Sequence, residues 1–158
     1  MTVREVTTRA AYSQKETFMN LFLWFKENKN QGKDALKDSH LRSVLQHYHD
    51  SGFLSARVLD LIDQTNAGIL NQEEQEAVLH LCKTLPNKSF QVISIHDKYL
   101  CLPNYGNDLR KLYNQVLYEI AKSNLLQFLV NQIYPKGVRV TKNSDFADKI
   151  LDAEYALS

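Results

Sequence analysis

The chain has 158 residues, with 19 Lys+Arg against 18 Asp+Glu, 44% hydrophobic and 23% charged, the composition of one soluble globular domain of ordinary size. A chain of this length buries about 70% of its unfolded surface, so it needs neither metal nor disulfide to fold, and whole-chain disorder is excluded. The formal net charge of +1 speaks against a nucleic-acid or membrane binder that works through bulk positive charge.

Charge is nevertheless uneven: residues 1–49 carry 8 basic and 5 acidic groups, and residues 50–81 carry 1 and 6. Cys82 and Cys101 allow at most one disulfide and neither sits in a CxxC spacing, so a reducing compartment is expected. The amino terminus lacks an apolar core of signal-peptide length. The longest apolar run, Leu21 to Phe25, is far below the ~18 residues of a membrane span, which predicts a cytoplasmic protein with no membrane partner. Only 5 Gly and 3 Pro stand beside 12 Asn, which favours helices over a many-turned β architecture. The expectation is a mostly α fold of about six helices packed as one domain over residues 15–158, with a single short β-hairpin.

In chain order, residues 1–14 are Thr-rich with weak alternation (Val3, Val6) and read as a loose N-terminal arm or an edge strand. Ser13, with Glu16 three residues on, opens a helix to about Lys29 whose apolar residues cover more than one face. The polar segment Glu27 to Lys37 links it to a compact series. Ser39 caps a helix with Leu41, Val44, Leu45 and Tyr48, stopped by Gly52; Ser55 caps a second with Val58, Leu59, Leu61 and Ile62, stopped by a left-handed Gly68. Asn71 caps a third, with Glu74 completing a capping box, and Pro86 ends it.

Phe90 to Ile95 and Tyr99 to Leu102 are β-branched and aromatic runs around His96-Asp97-Lys98, predicting a hairpin over about 90–102. Asn107 or Asp108 then starts a helix that runs to Tyr134, about 40 Å at ~1.5 Å per residue. The tail holds a possible strand, Val138 to Thr141, and a last helix capped by Ser144.

The sharpest local pattern runs from Asp63 to Glu74: acidic first position, Gly68 at six, an apolar residue at eight and Glu at twelve. It resembles the calcium loop of the EF-hand family. The resemblance implies Asp63, Thr65, Asn71 or its water, and Glu74 as calcium contacts in a calcium-responsive module. Ala67 at position five offers no side-chain oxygen and no second loop follows, so structural turn is the preferred reading. The order of three helices, hairpin and long helix resembles a winged-helix nucleic-acid binder. Its recognition helix would begin Asn-Gln-Glu-Glu-Gln-Glu, setting carboxylates against phosphates, with only Lys83, Lys88 and Lys98 in mitigation.

His47 and His49 are two apart and diverge on a helix, whereas His40 and His47 share a face at i and i+7 without a third ligand, so no metal site and no cofactor is expected. Cys101 with His96 is the only sequence-local nucleophile pair, and Cys101 reads better as a half-buried strand residue. There is no GxSxG, GxxxxGK, GxGxxG or HExxH. What remains is interaction. The helix of Phe18, Phe22, Trp24 and Phe25 and the long helix with Phe128 and Leu129 carry more apolar surface than one core face absorbs, and the exposed acidic Glu73 and Glu76 suit a basic partner. The sequence therefore points to a noncatalytic adaptor, chaperone or regulatory subunit that binds another protein or itself. The Asn- and Lys-rich, Gly-poor composition resembles proteins of low-GC bacteria, host-directed effectors among them.

Overall fold

A computed structural model describes residues 2–12, 20, 21, 23, 24, 35–96, 98–134, 137–142 and 144–153, with backbone alone at 35–37, 144 and 145. Six α-helices whose bounds lie among these residues, the helical residues Asn20, Leu21, Leu23 and Trp24, and one two-stranded antiparallel ribbon form the regular structure described. They are α1 (Thr2–Ala11), α2 (Ala35–Ser51), α3 (Gln72–Thr84), β1 (Ile93–Ile95), β2 (Lys98–Leu100), α4 (Gly106–Lys122), α5 (Leu125–Ile133) and α6 (Ser144–Leu151). Short 3-10 turns at Ala56–Asp60, Ala67–Ile69 and Pro103–Tyr105 join them. The mostly helical fold with a single short hairpin is as the sequence predicts.

Residues 2–11 are not a loose arm. They form α1, in which Val6, Arg9 and Ala10 are fully buried. Val6 and Ala10 are spaced i and i+4 on one face, and Glu5 pairs with Arg9 at the same spacing. Its threonines are helix-compatible because Thr7 and Thr8 donate their hydroxyls to the carbonyls of Val3 and Arg4, each at 2.7 Å. The predicted helix from Ser13 to Lys29 lies largely outside the described residues; Asn20, Leu21, Leu23 and Trp24 are helical.

The helix expected from Ser39 starts at Ala35 and ends where predicted, with Gly52 in the left-handed region at φ 69° and its N–H on the Tyr48 carbonyl at 2.7 Å. The second helix of the series is only the 3-10 turn Ala56–Asp60, capped by Ser55. Gly68 is not a left-handed stop: it sits in the 3-10 turn Ala67–Ile69, and Asn66 supplies the local order by donating to the Leu61 carbonyl and accepting from the Asp63 N–H. The helix trio of a winged-helix arrangement thus lacks its middle member. The α3 capping box is complete, with Asn71 accepting from the Glu74 N–H at 2.9 Å and Glu74 accepting from the Asn71 N–H at 2.8 Å.

The ribbon pairs Ile93 with Leu100 and Ile95 with Lys98, with His96 in the turn at φ 55°. The helix expected from 107 to 134 is broken at Ser123-Asn124 into α4 and α5. Ser123 adopts extended backbone and its hydroxyl accepts from the Leu125 N–H, while the Asn124 N–H donates to the Ser51 carbonyl at 2.6 Å. Lys142 closes the break by donating to the Ser123 and Lys122 carbonyls and to Asn124 Oδ1. No strand forms at residues 138–141, and α6 packs on α4.

The core has two parts. One gathers Leu41, Leu45, Val58, Leu59, Leu70, Val78 and Leu81 between α2, the 3-10 turns and α3; the other gathers Val6, Ala10, Phe90, Val92, Leu109, Leu112 and Val116 between α1, the ribbon and α4. Each fully buried large aliphatic contributes about 1.5–3 kcal/mol. Arg9 ties the two parts together. Its guanidinium donates to Glu5 on α1 (3.0 Å), to Thr84 at the end of α3 (3.1 Å) and through two nitrogens to Glu119 on α4 (2.9 and 2.5 Å). Glu5 in turn accepts from the Ser55 hydroxyl and the Ala56 N–H, both at 2.7 Å.

Candidate functional site

A groove of about 560 Å³ opens between α1, the Ala56–Asp60 turn, α2 and α5. Three separate stretches of chain build it. The α2 stripe contributes Val44 and His47 at i and i+3, one turn apart, with His40 a turn earlier. The α4–α5 break swings α5 back against α2 and brings Leu125, Phe128 and Leu129 to the opposite wall. Phe53, pinned just past the Gly52 turn, and Leu61 complete the apolar surface. Phe128 and Leu129 are half-buried, and the Phe128 ring meets the His47 ring with centroids 5.8 Å apart at 53°.

The rim carries more exposed cations than exposed anions. Both oxygens of Glu5 are taken by Arg9, Ser55 and Ala56, and Asp60 accepts the Tyr12 hydroxyl at 2.5 Å. Burial first, then this bond to Asp60, raises the Tyr12 hydroxyl well above its ordinary value of 10.0. Arg4 and Arg57 line the same rim, are exposed, and have no hydrogen bond or ion pair from their guanidinium groups among the described residues. At the rim two exposed arginines stand against one exposed carboxylate, Asp60, while Glu5 is buried against Arg9.

The other sequence-derived candidates fall elsewhere. Phe18, Phe22 and Phe25 lie outside the described residues, and Trp24 is half-buried in its helix. Glu73 and Glu76 are exposed on α3, where Glu76 accepts from Gln72 at 3.0 Å. In the Asp63–Glu74 loop, Asp63 Oδ1 accepts from the Thr65 N–H and hydroxyl, and Glu74 accepts from Asn71 and pairs with His49 at 2.9 Å. The implied calcium contacts are thus bonded to the protein itself, and Ala67 is buried in the core. Among the described residues no group of three or more His, Cys, Asp or Glu side chains converges on a metal position.

Cys101 is half-buried just past the end of β2, and burial, followed by the charge of Asp108, pushes its thiol up from the ordinary value of 9.0. That shift disfavours the thiolate a nucleophile needs. A second cleft of about 570 Å³ is lined by Tyr48, His80, Tyr118 and Glu119, and Phe53 lines both cavities.

Sequence reasoning selected Phe128 and Leu129 from excess apolar surface but missed Arg4 and Arg57, which belong to segments taken for an arm and a helix. The Glu5–Arg9 and Val6–Ala10 spacings were the signal for α1. No helix among the described residues is long and apolar enough to cross a membrane. No protein-family model matches the chain, and comparison with curated proteins finds no match.

Proposed function

We propose that the chain is a noncatalytic cytoplasmic binding protein, an adaptor or regulatory subunit, that seats a segment of another protein in the groove between α2 and α5. The observation that carries this reading is that half-buried Phe128 and Leu129 line one concave surface together with Val44, Phe53 and Leu61. Interfaces concentrate their energy in a few aromatic or aliphatic anchors within a pocket, ringed by polar groups. This groove has that composition. Its volume also falls within the roughly 300–1,000 Å³ of functional cavities.

The test is a photocrosslinking amino acid placed at Leu129 in the full chain, expressed in its native host, with the same label at exposed Glu73 as control. A discrete crosslinked partner from position 129 alone, lost on Phe128→Glu, is the expected result. Equal labelling from both positions, or none from position 129, overturns the reading.

A further inference from the structure

We propose that the groove's occupant is an amphipathic helix whose apolar anchors are flanked by carboxylates, an inference that rests on the protein-binding reading above. Two independent features of the site lead there.

The first is backbone accounting. Helices α2 and α5 form the facing walls, and a helix satisfies its own N–H and C=O groups internally. Such walls offer no ladder to an extended peptide, whose backbone would be desolvated without partners at a cost of about 1–3 kcal/mol per group. A helical segment brings its backbone already paired and presents side chains at i, i+3, i+4 and i+7. A cavity of roughly 150 Å³ holds one benzene ring, so the groove of about 560 Å³ has space for about three ring-sized anchors, the number such a helix presents over two turns.

The second is charge. Two exposed guanidinium groups stand at the rim without a partner among the described residues, against one exposed carboxylate, Asp60, while Glu5 is buried against Arg9; this balance favours an anionic partner. Guanidinium is the group best matched to carboxylate, through paired parallel hydrogen bonds. Arg4 stands on α1 and Arg57 on the 3-10 turn, so the rim offers a guanidinium group from each of the two elements that the Glu5 contacts hold together.

The experiment is a displayed library of helical peptides of about 16 residues, with apolar residues fixed at i, i+3, i+4 and i+7 and all flanking positions random. It is selected against the full chain in about 150 mM salt, where the Debye length of ~8 Å still leaves contact pairs attractive. Recovered peptides with acidic flanks, at least about tenfold weaker for the Arg4→Glu/Arg57→Glu double variant, are the expected outcome. Both arginines are exposed, so that variant keeps its fold, which circular dichroism checks. Neutral or basic flanks among peptides still lost on Phe128→Glu overturn the acidic inference and leave the groove reading standing. Failure to recover any peptide that depends on Phe128 overturns both.

Discussion

Arg9 is fully buried, and its guanidinium bonds to Glu5, Thr84 and Glu119 help, with the core contacts of Val6 and Ala10, to keep a ten-residue helix docked. Burial alone lowers its pKa, but hydrogen bonds and attraction from Glu119 and Glu5 outweigh that and hold it above its ordinary value. Removing one member of such a cluster leaves uncompensated buried charge. Arg9→Leu should therefore destabilise by about 3–5 kcal/mol in urea unfolding, and Arg9→Lys should recover little, because an ammonium cannot reproduce the planar fork. At Tyr12 the folded-state value is raised, so its contribution is complete below about pH 10 and fades as pH climbs beyond. Tyr48 and Tyr99 are raised by burial too, so Tyr12→Phe should reduce, without abolishing, the loss of stability between about pH 10 and 11 in thermal melts. The i, i+4 spacing within α1 was readable from sequence. The partners of Arg9, 75 and 110 residues away, were not, because no local pattern encodes them.

At the level of elements, local chemistry was legible wherever the controlling contact lies within four residues. The α3 capping box and the Gly52 stop are of that kind. Two elements went otherwise for non-local reasons. The α4–α5 helix breaks at Ser123-Asn124, residues that continue many helices, because the Ser51 carbonyl and the Lys142 ammonium make the break the better-bonded state. The segment after Ser55 is a short 3-10 turn whose first N–H, that of Ala56, is tied to Glu5 from α1, a contact no local pattern encodes. The two glycines should now respond oppositely to substitution. Gly52→Val forces a β-branched residue to φ 69° and should cost about 1–2 kcal/mol, whereas Gly68→Val, exposed in a 3-10 turn, should cost less than about 0.5 kcal/mol in the same denaturation assay. With Asp63 and Glu74 bonded within the protein, calorimetric titration with micromolar calcium should give no saturable heat; saturable heat abolished by Glu74→Gln would restore the calcium-loop reading.

For the whole molecule, the balance of helix over strand followed from glycine and proline scarcity. The groove did not, since it is made where α1, α2 and α5 converge. The ribbon also turns out to expose apolar side chains: Ile93, Ile95 and Leu100, with Leu102 just beyond it, are all about half or more exposed, at 52%, 51%, 49% and 66%. A nucleic-acid wing normally offers cations there, and α3 presents Glu73 and Glu76 to solvent. Gel-shift titration at about 150 mM salt should accordingly show no sequence-selective binding of duplex DNA; such binding weakened by substituting Lys83 or Lys88 would reverse that expectation.

The Arg9 tie also constrains the order in which the chain assembles during synthesis. Arg9 is translated 110 residues before Glu119, which at ~5–20 residues per second is a wait of roughly 5–20 seconds. A ten-residue helix is too short to hold in water alone, the threshold being about 12–15 residues. Residues 35–85, carrying α2 and α3, leave the ribosome with most of their own core in hand. Helix α1 is thus made well before the residue that fastens it, and it closes over an interior that was laid down after it.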